Sequence, residues 1–495
     1  MGRRPDVLIV VLDTVRWDAV FTGDRVRATL PNLSELARAG VSYPRAIAPA
    51  NWTLPSHYSL LSGLYPWEHG VTELGSVPRV CHRPFSRDAR SEGYATASFS
   101  ANPYLSDDTG LTAGFQTALW GQFLECSARG VPAIARPRGR GPNGRGDRSP
   151  VETDPRPTYA PPLSALERLC RPWFAWPDVI SHAIRCVQHP NVAGEPRVSP
   201  WIEGAFDSWL GSVPSSTPAL GLVNFMDAHE PYLGLAPHNA PWGQRTTLWA
   251  ANRLASMAYA RGDGALPPKA ATFLRNLYDL AVRGLDLRLG RLLSLWGQHR
   301  DIDGSLVIVV SDHGQAFGEG GEVYHGFGTE EAQLRVPLIM RYPHGDRAGS
   351  IVPDWYSTRR IAGHVREVIQ RDVSPEAETV TDRRAVQPTV VWGLGSRRGS
   401  SAALPSQGST SGSPRPLQVV GFVDGGRVIF DPAGATAFRP ECPASFARAD
   451  RGTDAVLTLD ERARLEGIRI VAGLRPSVRR STPTVSTRLA SWGYT

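Results

Sequence analysis

Short apolar runs recur along the chain, and several of them end directly at a polar cluster. The first run, residues 6–12, consists almost wholly of valine, isoleucine and leucine after Asp6. Such a run is typical of a central parallel strand that is buried on both faces. Similar segments predict further strands at residues 93–100, 219–226, 306–310 and 336–340.

Between these strands, leucines at helical spacing predict a long amphipathic helix at residues 273–296, and a shorter helix is predicted at 31–38. Strands that alternate with helices predict an α/β fold, in which a mostly parallel central sheet carries helices on both faces. A hairpin pattern at residues 418–430, turning at 424–426, predicts a small C-terminal α+β subdomain in addition.

Changes in composition divide the chain further. We predict a large α/β domain at residues 1–393, a Ser/Gly/Pro-rich linker at 394–416, and the small subdomain, with its β-hairpin and a helical tail, at 417–495. Within the large domain, a segment at about residues 129–162 is rich in Arg, Gly and Pro and lacks apolar periodicity, which predicts a flexible insertion.

The composition narrows the class of protein. Of the 495 residues, 41% are hydrophobic and 20% are charged, which suits a packed core and excludes wholesale disorder.

No stretch reaches the roughly 18 apolar residues of a membrane helix. The first apolar run lacks a signal-peptide cleavage site. The five cysteines are scattered and form no CxxC pair, which agrees with a reducing compartment. We therefore expect a cytoplasmic protein without a membrane anchor.

The net charge of +7 does not indicate a nucleic-acid partner. It is the difference between 54 basic and 47 acidic residues. Of the basic residues only Lys269 is a lysine, and the arginines are spread along the whole chain. Such a bias is explained most simply by a GC-rich genome, since a nucleic-acid site would concentrate the charge in one place. The sequence gives no indication of oligomeric state.

Three of the predicted strands are followed directly by acidic residues, namely Asp13, Asp227 and the pair Asp312–His313. Taken singly, each could be a turn or a helix N-cap. Ligands of parallel α/β sheets bind outside the carboxyl ends of the strands, so we expect these groups to converge. Two carboxylates and an imidazole are a ligand set suited to Mn, Zn or Fe.

Residues 50–70, ANWTLPSHYSLLSGLYPWEHG, resemble the signature of the sulfatase family within the alkaline phosphatase superfamily. That signature is Cys or Ser, any residue, Pro-Ser-Arg, an apolar helix and Tyr-Pro, and here it begins Thr53-Leu54-Pro55-Ser56-His57. Further blocks resemble the family in the same order, at the start of the chain and at residues 99–106, 224–232, 307–321 and 325–343. The likeness covers about residues 5–115 and 218–345.

The resemblance implies one divalent ion held by Asp13, Thr53, Asp312 and His313, with Thr53 as the nucleophile. Sulfatases make formylglycine from Cys or Ser, so no formylglycine is expected at a threonine. Thr53 instead resembles the direct nucleophile of phosphodiesterases and phosphoalcohol transferases. His313 stands where many sulfatases have Asn, which favours Mn, Zn or Fe over Ca or Mg.

The resemblance also assigns polar residues around the reacting ester. His229 or His325 is expected to protonate the leaving oxygen, and His57, Asn102 and Asp227 are expected to bind the substrate. Each histidine could instead be an ordinary packed loop residue, and Thr53 could be a simple N-cap of the following helix, although such an N-cap would still face an anion site.

Three functions remain open at this point. The first is a metal-dependent hydrolase of phosphate mono- or diesters or of sulfate esters, acting on a small-molecule, glycan or lipid-headgroup ester. The second is a phospho-alcohol transferase that uses the same covalent Thr53 intermediate. The third is a non-catalytic binding protein that keeps the fold. We expect phosphorus esters to be preferred, because Thr53 lacks the second hydroxyl through which a formylglycine hydrate expels sulfate.

Overall fold

We describe the chain from a computed structural model. It describes residues 4–71, 78, 83–120, 198–230, 232, 250–258 without 253 and 256, 266–371 without 327 and 329, and four later strands between 387 and 440.

The described strands are mostly short and follow the chain in this order: β1 (Val7–Leu12), β2 (Phe21–Thr22), β3 (Arg25–Val26), β4 (Val41–Ser42), β5 (Ala46–Ile47), β6 (Ala95–Ser100), β7 (Thr117–Trp120), β8 (Ala219–Phe225), β9 (Leu306–Val310), β10 (Ala316–Phe317), β11 (Val323–Tyr324), β12 (Arg335–Val336), β13 (Leu338–Arg341), β14 (Ser350–Ile351), β15 (Tyr356–Ser357), β16 (Gln387–Trp392), β17 (Leu417–Val423), β18 (Gly426–Phe430) and β19 (Thr436–Pro440).

The described α-helices are α1 (Trp17–Val20), α2 (Pro31–Ala39), α3 (Thr53–Ser62), α4 (Pro66–His69), α5 (Phe85–Ser91), α6 (Val198–Ser212), α7 (Pro268–His299), α8 (Glu331–Leu334) and α9 (Ile361–Arg371). The predicted long helix is confirmed as α7, which has 32 residues. In the described part of the chain, none of the helices combines the length and apolarity that a membrane crossing requires.

Eight strands form the central sheet, in the order β14-β4-β13-β9-β1-β8-β6-β7. The run from β9 to β7 is parallel throughout, and β13 is antiparallel to both of its neighbours. The predicted α/β class with a mostly parallel sheet is therefore confirmed. The predicted strand at 336–340 is split at Pro337, whose missing N–H interrupts the ladder, and β12 pairs with β5 in a separate sheet.

The buried central strand β1 explains why helices cover both faces of the sheet. Its side chains alternate, so Leu8, Val10 and Leu12 pack in one core with α2, α6 and α7. Val7, Ile9 and Val11 pack in a second core with α3, α5 and α9. All six are at most 1% exposed. Because both faces are buried, the polar residues that continue β1 are forced to the end of the strand, where the site lies.

The C-terminal strands form an antiparallel meander in the order β16-β17-β18-β19. The predicted hairpin at 418–430 is confirmed as the β17–β18 pair, with Val423 opposite Gly426. The meander also includes β16, which precedes the predicted linker, so this sheet begins before residue 394. The predicted insertion at about 129–162, the linker at 394–416 and the helical tail after residue 440 lie outside the described residues.

Candidate active site

The carboxyl ends of two neighbouring strands bring three ligand-type side chains together. Asp13 follows β1, and Asp312 and His313 follow β9, which pairs in parallel with β1. One ligand atom from each of the three lies within 4.8 Å of the others. All three are buried, at most 2% exposed. Two carboxylates and an imidazole thus share a site with almost no access to bulk water.

The loop after β1 holds this arrangement through an unusual backbone conformation. Thr14 has φ 61°, which is rare for a residue with a branched Cβ. Its N–H donates to Asp312 Oδ1 at 3.3 Å, and its hydroxyl donates to the Ala228 carbonyl at 3.0 Å. The hydroxyl of Tyr278 in turn donates to the Thr14 carbonyl at 3.0 Å. These bonds tie the ends of β1, β8 and β9 to one another and to α7. Together they hold Thr14 in its strained backbone conformation.

His313 is oriented by its own backbone neighbour. Its Nδ1–H donates to the Gly314 carbonyl at 3.0 Å. The other ring nitrogen, Nε2, lies 3.4 Å from Asp312 Oδ2 and 3.2 Å from Thr53 Oγ1. A backbone carbonyl that accepts from Nδ1 while Nε2 faces carboxylates is the usual arrangement of a metal-ligating histidine.

The hydroxyl of Thr53 lies at the start of α3, next to His313. Trp52 occupies the N-cap position, and no side chain caps the helix, so Thr53 is not the cap residue. Thr53 Oγ1 accepts from Asn102 Nδ2 at 3.3 Å. Ser56 anchors the same helix to β9, because its hydroxyl donates to the Asp312 carbonyl at 2.6 Å. The helix N-terminus therefore directs a nucleophile-type hydroxyl and its own positive dipole end at the site.

Two asparagines hold the Asp13 carboxylate. Asn102 Nδ2 donates to Asp13 Oδ2 at 2.7 Å, and Asn224 Nδ2 reaches the same oxygen at 3.4 Å. Asn102 is itself fixed, since its Oδ1 accepts from the Tyr104 N–H at 2.9 Å. Asn224 was not predicted as a site residue. The signal was present, because this residue is an uncharged polar group inside the otherwise apolar strand β8.

The charges at this site are incompletely paired. Asp13 Oδ1 and Asp312 Oδ2 are buried and have no hydrogen-bond partner among the described residues. Burial, together with the negative charge of Asp312, raises the pKa of Asp13 above its usual value. Leaving buried carboxylate oxygens unpaired is costly, and a divalent cation would supply the missing partner. The donor set of carboxylates, imidazole and hydroxyl therefore fits such an ion.

A second group of polar side chains adjoins the first. His229, Glu230 and His325 each place one ligand-type atom within 4.8 Å of the others, and all three are partly exposed. The two imidazole rings are 4.9 Å apart between centroids, and the His325 ring is 4.4 Å from that of His313. Both predicted proton donors thus lie next to the group formed by Asp13, Asp312 and His313. Glu230 was not predicted, and only its place between His229 and Pro231 in the sequence pointed to it.

The two histidines of this second group differ electrostatically. Burial by itself would lower the pKa of His229, but the carboxylates of Glu230 and Asp13 outweigh it, and the pKa is raised. For His325, burial and the neighbouring His313 and His229 act in the same direction and place its pKa well below the usual value.

Besides Asn102, His57 and Asp227 were predicted to bind the substrate, and these two residues have different surroundings. His57 is fully buried within the site. Its Nδ1–H donates to the Thr53 carbonyl at 3.0 Å, Nδ1 lies 3.5 Å from Asp312 Oδ2, and burial lowers the pKa to about 4. Asp227 faces the helix layer. Its carboxylate accepts from Arg288 Nε at 2.8 Å and from the Ser199 hydroxyl. Asp227 therefore links α6 to α7 and is not part of the group around Thr53.

Two family models match separate parts of the chain. Type I phosphodiesterase / nucleotide pyrophosphatase matches residues 7–109, which contain Asp13, Thr53 and Asn102. Sulfatase matches residues 206–372, which contain His229, Asp312, His313 and His325. Each family model thus contains a different part of the residues that form the site.

Curated relatives and solved structures agree with this result. An N-acetylglucosamine-6-O-sulfatase from Bacteroides thetaiotaomicron is 35% identical over 90 residues, which are 18% of this chain and 16% of that protein. Human iduronate 2-sulfatase is 25% identical over 366 residues, which are 68% of this chain and 60% of that protein. The phosphonate monoester hydrolase of Agrobacterium radiobacter has a similar fold, with a TM-score of 0.58 at 17% identity over 95% of this chain and 96% of that one.

The solved structures show the predicted α/β fold, and the chain is similar in sequence to sulfatases and to type I phosphodiesterases. The family models and the curated relatives support a sulfatase-like member of the alkaline phosphatase superfamily. The aligned stretches span 16% and 60% of the two curated sulfatases. These shares leave the substrate and the reaction of this chain as proposals.

Proposed function

We propose that the protein is a metal-dependent hydrolase of phosphate mono- or diesters or of sulfate esters, with Thr53 as the nucleophile. One observation carries the proposal. The Thr53 hydroxyl lies 3.2 Å from His313 Nε2, in a buried site where Asp13 and Asp312 each keep one oxygen to which no described residue donates a hydrogen bond. A nucleophile-type hydroxyl therefore stands beside a group of side chains whose atoms suit a divalent cation.

A divalent ion held by Asp13, Thr53, Asp312 and His313 would supply positive charge that lowers the pKa of the Thr53 hydroxyl and offsets charge on the ester. Asn102 keeps the hydroxyl in place by donating to Oγ1. In the first step, Oγ1 loses its proton to solvent and forms a bond to phosphorus or sulfur. The bond to the leaving oxygen breaks, and that oxygen takes a proton from His229 or His325.

In the second step, the oxygen of a water molecule bonds to phosphorus or sulfur, the bond from that atom to Thr53 Oγ1 breaks, and Oγ1 takes up a proton of the water, which restores the hydroxyl. His57 and Asn102 border the nucleophile and are the candidates for contacts with the non-bridging oxygens. We leave Asp227 out of this role, because its carboxylate already binds Arg288 and Ser199.

The chemistry of the ligands favours Mn, Zn or Fe over Ca or Mg, because imidazole is a ligand that the transition metals prefer. Phosphorus esters are the favoured substrates. A sulfated threonine would need direct attack by water at sulfur, whereas an in-line attack on a phosphothreonine is the ordinary chemistry of such sites. No formylglycine is required at Thr53.

The substrate class that we propose is a small-molecule or glycan ester. The match to an N-acetylglucosamine-6-O-sulfatase supports a sugar ester as one form of it. A cytoplasmic location and the absence of a nucleic-acid partner remain predictions from composition. A phospho-alcohol transferase would use the same Thr53 intermediate and differ only in the acceptor.

The test is a panel of aryl phosphate mono- and diesters, phosphonates and sulfates, with Mn²⁺, Zn²⁺, Fe²⁺, Mg²⁺ and Ca²⁺ each added to metal-free protein. We expect turnover of a phosphorus ester with Mn²⁺, Zn²⁺ or Fe²⁺ that Thr53→Ala abolishes. Faster product formation with added alcohols, together with alcohol-derived phosphodiester, would identify the transferase. Equal turnover by Thr53→Ala would contradict the proposal.

A further inference from the structure

Gln315 is a fully buried glutamine one residue beyond the Asp312–His313–Gly314 turn, and its side chain joins two members of the second polar group, Glu230 and His325, to Tyr232. Its Nε2 donates to Glu230 Oε2 at 2.7 Å and to the Tyr232 hydroxyl at 2.9 Å. Its Oε1 lies 2.8 Å from His325 Nδ1. No function in the steps above has been given to this residue.

The partners of the amide fix its orientation and the tautomer of His325. An ionised carboxylate only accepts hydrogen bonds, so the atom that faces Glu230 is the NH₂ group of Gln315. The amide oxygen therefore faces His325, and because it also only accepts, His325 Nδ1 carries the hydrogen. The neutral ring then has its lone pair on Nε2. Among the described residues, that nitrogen has no hydrogen-bond partner.

The backbone on either side leaves the amide little freedom to move. The Gln315 N–H donates to the Ala332 carbonyl at 2.8 Å, and Arg16 Nη1 donates to the Gln315 carbonyl at 3.0 Å. Arg16 is itself buried and paired with Asp18 and Glu319. The side chain thus projects from a segment that is held on both edges, which is what a group that orients another side chain requires.

We propose that Gln315 is a positioning residue that holds His325 as a proton acceptor for the water that cleaves the covalent Thr53 intermediate, an inference that rests on the proposed function. In this step the water oxygen bonds to phosphorus, and the proton of the water passes to His325 Nε2. The bond between phosphorus and Thr53 Oγ1 breaks, and the oxygen recovers the proton from the ring. Proton donation to the first leaving oxygen is then left to His229.

Rapid mixing of the metal-loaded full chain with an aryl phosphate separates the two steps. We expect Gln315→Met to release a burst of about one aryl alcohol per chain and then to turn over about 10–100-fold more slowly than the wild type. Mass spectrometry of the intact chain should show phosphorylated protein accumulating. His325→Ala should behave in the same way, with a loss of about 10²–10⁴-fold in steady-state rate.

One further variant makes the kinetic result specific. Gln116→Met is the matched control, because this glutamine bonds to Thr96 at the sheet edge, outside the polar groups of the site. It should leave both phases unchanged. A Gln315→Met variant with wild-type steady-state turnover, or one in which the burst itself is slowed equally and no phosphorylated chain accumulates, would overturn the proposal.

The tautomer of His325 can be read without any turnover. In wild-type protein labelled with ¹⁵N-histidine, and with His325→Asn used for assignment, we expect His325 to carry its hydrogen on Nδ1. A hydrogen on Nε2 would overturn the proposal even if the esters are hydrolysed. A chain that hydrolyses none of the esters but has the Nδ1–H tautomer would contradict the proposed function while retaining the placement of His325 by Gln315.

Discussion

The two polar groups of the site contain similar residues in opposite states. Asp13, Asp312 and His313 are sealed from solvent, and two of their carboxylate oxygens have no hydrogen-bond partner among the described residues. Glu230 and His325 are partly exposed, and Gln315 bridges them. Both groups offer carboxylate and imidazole, yet only the first leaves buried charge uncompensated.

The difference assigns different chemistry to each group. Unpaired buried carboxylates destabilise the fold unless a cation joins them, so the first group gains most from a metal ion. The Glu230 carboxylate of the second group is held by Gln315, and the group is partly exposed, so it can exchange protons or hydrogen bonds with a substrate. The predictions below separate the two roles.

The largest effect is expected at the nucleophile. Thr53→Ala removes the oxygen that forms the covalent bond, and kcat/KM for an aryl phosphate should fall by on the order of 10³-fold or more. Thr53→Ser keeps the hydroxyl and should retain more activity than Thr53→Ala, which controls for packing at the start of α3. A loss of less than tenfold for Thr53→Ala would show that the bond is made elsewhere.

Metal content distinguishes the two groups directly. Asp13→Asn removes one charge from the unpaired group, and metal affinity should fall by about 10–100-fold or more. Glu230→Gln, in the second group, should leave one ion per chain. The measurement is elemental analysis after dialysis against a metal buffer. Two ions in the wild type and one in Glu230→Gln would mean that both groups hold metal, and the contrast between them would be lost.

The turn that joins the two groups is the next point to test. A Cβ on Gly314 would lie 2.0 Å from the Ala332 carbonyl oxygen, a backbone atom that cannot rotate away. Gly314→Ala should therefore displace His313 and Gln315 together and cost about 1–3 kcal/mol of unfolding free energy. Urea titration measures the cost. Gly363→Ala, in α9 with nothing within 4 Å of the new Cβ, is the control and should not destabilise the protein.

Much of this architecture follows from local pattern. The apolar runs predicted the buried strands, because strands covered on both faces leave no polar alternation, and the acidic residues directly after them marked the strand ends. What pattern could not reveal was side-chain direction after a strand ends. Asp13, Asp227 and Asp312 all follow buried strands, but only the partners in space show that two face the site. Gln315 and Glu230 were missed for the same reason, since their roles depend on residues about 85 positions apart.

The smallest catalytic effect is expected at Asp227, which the sequence placed in the substrate site. Its carboxylate binds Arg288 and Ser199, and Arg288 also contacts Glu203 at 3.1 Å, all in the layer formed by α6 and α7. Asp227→Asn weakens a charged hydrogen bond at side chains that are 11% and 17% exposed, so the unfolding free energy should fall by about 1–2 kcal/mol. The carboxylate is engaged by Arg288 and Ser199, so kcat/KM should stay within about threefold of the wild type, as expected for a substitution that leaves transition-state contacts intact. Steady-state kinetics and urea unfolding on the same preparation give both quantities, with Asp13→Asn as the variant that loses activity. A KM raised by tenfold or more, with unchanged stability, would return Asp227 to the substrate site and make the second polar group larger than the structure shows.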